Sequence, residues 1–310
     1  MSQTPQNITS SAEPYYVASA GDFFQLMKPR VMSLVIFTGF AGMYLAPSTG
    51  EVTFSVIMLG AISLFAIAAG AGASGAINQW YDRDIDAVMT RTMGRPIPSG
   101  RVQSEEALAL GLVISVLSVL LLSLSSNLLA GGLLAFTIFF YAVIYTMMLK
   151  RSTAQNIVIG GAAGALPPVI GWTASANALS IEPLIYFAII FFWTPPHFWA
   201  LALIKNDDYQ AANVPMLPVT AGVKSTLSQI VLYAFVLFGV SLLPYVLGLS
   251  GLFYASAAAL LGALFVALCI GLALASEKNR NRLAGMTFAY SIFYLFLLFV
   301  LLPTDKVMGL

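Results

Sequence analysis

The chain has 310 residues, of which 59% are hydrophobic and only 9% are charged, whereas a typical soluble domain is about 25% charged. Its net charge of +1 excludes the strongly basic surface of a nucleic-acid-binding protein, and its single cysteine excludes a disulfide framework and a cysteine-based zinc site. So few charges cannot cover a soluble surface, and the composition therefore predicts an integral membrane protein.

The N-terminal segment contains neither a basic stretch followed by an apolar one, which would indicate a secretory signal, nor the arginines of a mitochondrial transit peptide. We therefore interpret residues 1–21 as a disordered cytoplasmic tail. Residues 22–303 are predicted to form a single transmembrane domain. Residues 304–310 are predicted to be a short C-terminal tail.

A membrane-spanning helix needs roughly 20 apolar residues, and nine stretches of the chain meet this requirement. The predicted spans are 27–46, 53–79, 104–125, 127–148, 155–176, 181–204, 226–248, 252–275 and 284–302. With these spans, all basic residues except Lys306 fall on one side, which the positive-inside rule identifies as cytoplasmic. The predicted fold is an all-α polytopic bundle of nine transmembrane helices, with its N-terminus inside and its C-terminus outside.

Charge concentrates where the second predicted span ends, in the segment "NQWYDRDIDAVMTRTMGRPIPSG" (78–100). Asn78, Asp82 and Asp86 are four residues apart, so on a continuing helix their side chains form one column. Carboxylates stacked in this way repel each other unless a cation lies between them, and an oxygen-only donor set favours Mg²⁺. Asp84 points away from the column and is predicted to pair with an arginine.

Basic residues near the same helix end indicate an anion site. Arg91 and Arg95 follow the acidic column, and guanidinium groups beside Mg²⁺ can bind a diphosphate. The alternative is a solvated loop whose charges only fix the topology. A second charged cluster favours the binding site, because Lys205, Asp207 and Asp208 end the sixth span on the same side of the membrane.

At these residues the chain resembles the intramembrane UbiA-type prenyltransferases, and within them the branch that farnesylates protohaem IX. The resembling segments are 26–43, 78–100, 145–172 and 194–219. The first acidic motif alone indicates the superfamily, whereas its combination with "KPRV" and "PPHFWAL" is typical of the haem branch. The resemblance implies a UbiA-like bundle with a central cavity that opens to the cytoplasmic face. The N-terminal segment, which shows no targeting signal, fits a bacterial inner-membrane protein.

The implied reaction starts when farnesyl diphosphate ionises with the help of Mg²⁺. A vinyl group of haem B then attacks the allylic cation, and water captures the resulting cation to give haem O. The resemblance further implies that a haem A synthase or a terminal oxidase receives the product. Two alternatives remain: a UbiA-type enzyme with a quinone precursor or chlorophyllide as acceptor, and a transporter with broken helices. The clustering of charges at one face counts against a transporter.

The resemblance also implies roles for individual residues. The implied catalytic and metal-binding residues are Asn78, Asp82, Asp86 and Asp208. Independently of the resemblance, the need to stabilise the charge of the departing diphosphate makes Arg91, Arg95, Lys150 and Lys205 the candidates for binding it. Many family members carry an aspartate where this chain has Ile204, so either Asp207 or Asp208 is expected to reach the metal.

Haem contacts are expected from three further residues. His197, the only histidine, lies in the sixth span beside a diproline, and it either contacts haem or is a hydrogen-bonded packing residue. Lys28 and Arg30 either pair with haem propionates or anchor the first span at the membrane surface.

Overall fold

The computed structural model describes residues 17–47 and 51–309, and within these ranges every regular element is a helix. Eight helical segments are long and apolar enough to cross a membrane, and a further apolar helix, Pro29–Leu45, is shorter. Together they coincide with the nine predicted spans, which confirms the all-helical membrane fold. The number of helices that cross the bilayer, their orientation and the opening of a central cavity stay predictions.

The helices of the described residues are labelled in chain order. They are α1 (Ala20–Leu26), α2 (Pro29–Leu45), α3 (Phe54–Tyr81), α4 (Arg83–Val88), α5 (Ser104–Ser125), α6 (Leu128–Phe139), α7 (Asn156–Ala165), α8 (Pro167–Ala176), α9 (Ile181–Ile204), α10 (Asn206–Ala211), α11 (Leu217–Thr220), α12 (Gly222–Val246), α13 (Leu252–Ala273) and α14 (Glu277–Met308). Helix α6 continues as a π-helical segment over Phe140–Leu149. Most of the predicted N-terminal tail, residues 1–21, lies outside the described residues. Helix α1 begins at Ala20, and so it includes the last two residues of that predicted tail.

The first and last spans are neighbours in this bundle. Helix α14 packs against α2 as well as against α9 and α13, while α2 also contacts α3 and α8. Helix α3 lies against α5, and α9 lies against α7 and α12. The largest buried apolar cluster is formed mainly by side chains of α9, α12, α13 and α14. Helices α3 and α9, which lead into the two acidic segments, are therefore connected through α2 and α14.

Helices α2 and α8 approach each other backbone to backbone. A Cβ atom on Gly42 would overlap the carbonyl group of Pro168, and one on Gly171 would overlap the carbonyl group of Gly39. Small residues allow this close approach, which strengthens dispersion contacts where lipid gives no hydrophobic drive. The crossing holds α2 in place, and the residue that precedes α2, Lys28, belongs to the candidate site described below.

The last helix is longer than the sequence predicts. Helix α14 ends at Met308, so the first five residues of the predicted tail over 304–310 are helical. The physical reason is that two charged side chains of this segment cap neighbouring helices. Asp305 accepts hydrogen bonds from two backbone N–H groups at the start of α13, at 2.5 and 3.1 Å. Lys306 donates hydrogen bonds to the last carbonyl groups of α2, at 3.0 to 3.3 Å.

Candidate active site

Asn78, Asp82 and Asp86 lie on a nearly continuous helix, because α3 passes into α4 at Asp82 without losing its helical hydrogen bonds. The backbone N–H of Asp82 donates to the carbonyl of Asn78 at 2.9 Å, and that of Asp86 donates to the carbonyl of Asp82 at 2.8 Å. The exposed fractions of Asn78, Asp82 and Asp86 are 3%, 0% and 1%. These three residues, which we call the acidic column, are therefore aligned as the sequence predicts and buried at the end of the α3 span.

Each carboxylate of the acidic column has a basic partner. Lys150, which follows the π-helical segment, donates a hydrogen bond to Asp82 Oδ2. The Nη1 atom of Arg95 lies 2.5 Å from Asp86 Oδ2. A buried carboxylate without such a partner would carry a large desolvation cost, so these ion pairs explain how two aspartates can be buried here. The structure thus places two of the four predicted diphosphate-binding side chains at the column.

Lys28 brings a third positive charge to the acidic column. It lies between α1 and α2 with a φ of 53°, and its Nζ atom donates a hydrogen bond to Asn78 Oδ1 at 2.6 Å. Desolvation by burial, followed by the like charges of Arg95 and Lys150, lowers the pKa of Lys28 to about 7. A bound anion would favour the charged form of this amine. The position of Lys28 therefore fits the diphosphate side of the site, and its predicted contact with haem propionates stays a prediction.

Asp84 points away from the acidic column, as predicted, and its partner is Arg151. The guanidinium group binds both carboxylate oxygens of Asp84 at 2.7 Å and lies over the ring of Tyr81 at 4.9 Å. These hydrogen bonds lower the pKa of the Asp84 carboxyl and raise that of Arg151. The Nη2 atom of Arg151 is also 3.5 Å from Asp82 Oδ1. Arg151 therefore links the exposed aspartate to the buried column.

The second acidic cluster lies on α10 and contacts the loop that follows the acidic column. The Thr90 hydroxyl donates to the carboxylate of Asp208 at 2.8 to 2.9 Å, and the Thr90 backbone N–H donates to it at 3.3 Å. These hydrogen bonds lower the pKa of the Asp208 carboxyl. Asp207 is exposed. Arg91 is also exposed and Lys205 follows the last residue of α9, so their binding of diphosphate stays a prediction.

The donor atoms of the acidic column fit a hard cation. Two carboxylates and one amide are the oxygen ligands that Mg²⁺ accepts, with the rest of its coordination left to water and phosphate oxygens. In the described part of the chain no three acidic, histidine or cysteine side chains converge on one point. Asp208 therefore does not share a ready cluster with Asp82 and Asp86, and its role as a metal ligand stays a prediction.

His197 lies in a packed aromatic environment. Its ring is stacked between Trp193 and Phe288, with centroids 4.2 and 4.5 Å away, and its Nδ1 atom lies 2.7 Å from Ser291 Oγ. The residue is 7% exposed. These contacts join α9 to α14 and favour the packing interpretation over the haem ligand. Arg30 lies exposed in the first turn of α2, so its contact with a propionate stays a prediction.

Sequence reasoning did not assign a role in the site to three residues that contact predicted ones. Thr146 accepts a hydrogen bond from Asn78, Arg151 lies near Asp82, and Thr90 binds Asp208. A signal exists for the first, because Thr146 is one of few polar residues in an otherwise apolar span. Arg151 and Thr90 directly neighbour predicted segments, but only the tertiary structure shows which partners they choose.

Comparison with known proteins identifies relatives over nearly the whole chain. A model of the UbiA prenyltransferase family matches residues 35–302. Protoheme IX farnesyltransferase 2 of Mesorhizobium japonicum is 56% identical over 291 residues, which cover 94% of this chain and 91% of the relative. Protoheme IX farnesyltransferase of Rhizobium etli is 55% identical over 290 residues, which cover 93% of this chain and 90% of the relative.

Solved structures with this fold are more distant in sequence. A structure described as digeranylgeranylglyceryl phosphate synthase has a TM-score of 0.74 and 19% identity, with 91% of this chain and 98% of that chain covered. A UbiA homolog from Archaeoglobus fulgidus bound to GPP and Mg²⁺ has a TM-score of 0.61 and 18% identity, with 90% and 99% covered. At these identities the likeness establishes the fold alone.

Proposed function

We propose that this chain, which belongs to the UbiA prenyltransferase family, transfers the farnesyl group of farnesyl diphosphate to a vinyl group of protohaem IX with addition of water. The products are haem O and diphosphate. The observation that carries the proposal is the identity of about 55% with protohaem IX farnesyltransferases over at least nine-tenths of both chains. The buried acidic column and the three basic side chains that contact it, Lys28, Arg95 and Lys150, support the binding and ionisation of the diphosphate substrate.

The acidic column is the place where we expect Mg²⁺ to bind. Asn78, Asp82 and Asp86 supply its oxygen ligands, and Asp208 on α10 is the expected further carboxylate. When bound, the metal neutralises the diphosphate and so makes it a better leaving group. The UbiA homolog from Archaeoglobus fulgidus, which binds GPP and Mg²⁺, supports the use of a divalent cation in this fold.

The basic residues around the column are expected to hold the diphosphate. Lys150 pairs with Asp82, and Arg95 pairs with Asp86. If a metal bound these two carboxylates, the lysine and arginine side chains would be free to bind phosphate oxygens. Lys28 binds the amide oxygen of Asn78 in the same way. Charge that develops on the departing diphosphate is thus met by donors already in place, which lowers the barrier more than donors recruited during the reaction.

Water must stay away from the allylic carbon until the vinyl group attacks. As the carbon–oxygen bond breaks, its electron pair leaves with the diphosphate, and bulk water would capture the farnesyl cation to give farnesol. The burial of Asn78, Asp82 and Asp86 supports a reaction centre with little solvent access. After the vinyl carbon has formed the new bond, one water molecule adds to the resulting cation and releases a proton.

The site is expected to face the cytoplasm of a bacterial cell. The basic residues that flank the predicted spans lie on the side of the acidic column, and the positive-inside rule assigns that side to the cytoplasm. The bacterial origin of the relatives supports an inner-membrane location. The lipid chain of farnesyl diphosphate would then lie among the helices, with its head group at the inner leaflet.

The test is an assay of the purified protein with haem B, farnesyl diphosphate and Mg²⁺, in which products are identified by mass. We expect haem O, and we expect its formation to stop when EDTA removes the metal. A prenylated quinone precursor or a prenylated chlorophyllide, formed in place of haem O when these acceptors are offered, would reject the proposed acceptor. The Asp82→Asn variant serves as the inactive control.

A further inference from the structure

The π-helical segment Phe140–Leu149 lies directly before Lys150 and contains neither proline nor glycine. Proline and glycine are the usual residues at which a helix distorts. π-Helical turns are a further kind of distortion, and they occur frequently at functional sites. Contacts outside the segment must therefore account for its wider turn. The segment contains one fully buried polar side chain, Thr146, which accepts a hydrogen bond from Asn78 of the acidic column. This contact connects the π-helical geometry with the candidate site.

The wider turn places on one face two side chains that would lie on opposite faces of an α-helix. Tyr141 and Lys150 are nine positions apart, and at about 100° per residue their side chains would point in roughly opposite directions. In the structure both lie near the column: Lys150 binds Asp82, and the Tyr141 ring is 6.0 Å from the Nζ atom of Lys28. The hydrogen bond from the Thr146 hydroxyl to the carbonyl of Tyr141 spans five residues at 2.8 Å, as the π-helical spacing requires.

Thr146 is one of three residues whose hydrogen bonds fix which way the amide of Asn78 faces. The Nδ2 group of Asn78 has two hydrogens, and it donates to Asp82 Oδ2 at 2.7 Å and to Thr146 Oγ1 at 3.1 Å. Because the hydroxyl hydrogen of Thr146 goes to the carbonyl of Tyr141, its oxygen can only accept from the amide. The amide oxygen is thereby directed to the opposite side, where it meets the Nζ atom of Lys28 at 2.6 Å.

We propose that the π-helical segment acts through Thr146 as a positioning device, which keeps the amide oxygen of Asn78 on the side of Lys28. There it is available as a ligand for the divalent cation that would bind with the prenyl diphosphate. The inference rests on the proposed function, since it concerns the metal of that reaction. Thr146 is a positioning residue and does not touch the cation itself. A reversed amide would place its NH₂ group against the Lys28 ammonium and its oxygen against the Asp82 carboxylate, so the third contact from Thr146 completes the selection of one orientation.

The test measures ligand binding rather than turnover. Purified wild-type protein, Thr146→Val and Thr146→Ser are titrated with Mg²⁺ in the presence of farnesyl thiolodiphosphate, a non-reacting analogue, without haem. Valine has the shape of threonine but no acceptor, whereas serine keeps the hydroxyl. We expect the Mg²⁺ concentration at half-saturation to rise about tenfold in Thr146→Val, the lower end of the range for losing such a supporting partner, and to stay within about twofold of wild type in Thr146→Ser.

A second comparison separates positioning from a general loss of structure. In an Asn78→Ala background the amide is gone, so Thr146→Val should not raise the Mg²⁺ requirement any further. An equal Mg²⁺ requirement in Thr146→Val and wild type would overturn the inference, and so would equal impairment of the Val and Ser variants. If Thr146→Val does not fold, Thr146→Ala removes the same acceptor and takes its place. Because haem is absent, these outcomes are independent of whether haem O forms.

Discussion

The two acidic segments at this end of the bundle are held in different ways. The acidic column on α3 and α4 is buried, and each of its carboxylates binds a lysine or an arginine. The second segment lies on the six-residue helix α10, where Asp207 is exposed and Asp208 binds the hydroxyl of Thr90. The chain thus fixes one set of carboxylates with charged partners and attaches the other through a neutral one.

This difference predicts how much each segment would contribute to the proposed binding of metal and diphosphate. At the column, a metal and a diphosphate would exchange partners with groups that are already desolvated, so little reorganisation would accompany binding. At α10, Asp208 would have to exchange water or its hydrogen bond with Thr90 for the metal, so part of its attraction to the metal would offset the cost of desolvation. We therefore expect substitutions in the column to reduce turnover much more than substitutions on α10.

The largest effect is expected from Asp82→Asn. The asparagine keeps the size of the side chain but removes the charge that attracts the cation and Lys150. Turnover of haem B should fall at least about a thousandfold, equivalent to about 4 kcal/mol of transition-state stabilisation. The matched control is Asp84→Asn, two residues away on the exposed side of the same helix, which should stay within about twofold of wild type, since exposed ion pairs contribute little.

Product formation and insertion into the membrane are measured for both variants at saturating Mg²⁺. If Asp84→Asn lost as much activity as Asp82→Asn, the distinction between the buried column and the exposed carboxylate would be wrong. Near-normal turnover of Asp82→Asn under limiting Mg²⁺ would end the assignment of the column as the metal site.

The second-largest effect is expected from removing a basic side chain beside the acidic column. Lys150→Met keeps the length of the side chain and removes the ammonium group that lies beside Asp82, so the affinity for farnesyl thiolodiphosphate should fall about a hundredfold, or about 3 kcal/mol. Lys224→Met is the control, because Lys224 is exposed on α12 on the same predicted side of the membrane. Binding is measured at fixed Mg²⁺ and moderate salt.

Equal losses in Lys150→Met and Lys224→Met would mean that the diphosphate responds to the general positive potential of this face. A loss confined to Lys150→Met, and unchanged by added salt, would assign the effect to the ion-paired lysine itself, because salt screens distant exposed charges more than partly buried ones.

Much of the fold and part of the site could be predicted from local patterns. Apolar runs of span length predict the helices, and the spacing of Asn78, Asp82 and Asp86 predicts the column, because helical geometry alone sets both. The pairing of Asp84 with an arginine also follows from its position off the column, and Arg151 confirms it.

The remaining features depend on contacts between residues far apart in the chain. The π-helical spacing around Thr146 has no local signal, because the segment contains no helix breaker and its contact with Asn78 spans 68 residues. The end of α14 at Met308 depends on helices α2 and α13, whose free termini bind Asp305 and Lys306. Periodicity cannot identify such partners, since it describes only one segment at a time.

A smaller effect is expected at the second segment. Asp208→Asn should reduce turnover about tenfold, or about 1.4 kcal/mol, and the reduction should appear mainly as a higher Mg²⁺ requirement. Asp207→Asn is the neighbouring control and should stay within about twofold of wild type. If Asp207→Asn has the larger effect, then Asp207 is the ligand and the hydrogen bonds of Thr90 only anchor α10. If neither variant changes turnover, the second segment takes no part in metal binding.

The smallest effect on turnover is expected at His197, whose ring contacts lie within α9 and on α14. His197→Phe keeps the stacking between Trp193 and Phe288 but loses the hydrogen bond to Ser291, so stability should fall by about 1 kcal/mol while haem affinity stays within about twofold. Ser291→Ala removes the same hydrogen bond from the other side and should lower stability by a similar amount. Haem titration followed by optical absorption, together with thermal unfolding, distinguishes the two interpretations. A packing residue predicts matched stability losses and unchanged haem spectra in both variants, whereas an iron ligand predicts an altered spectrum in His197→Phe alone.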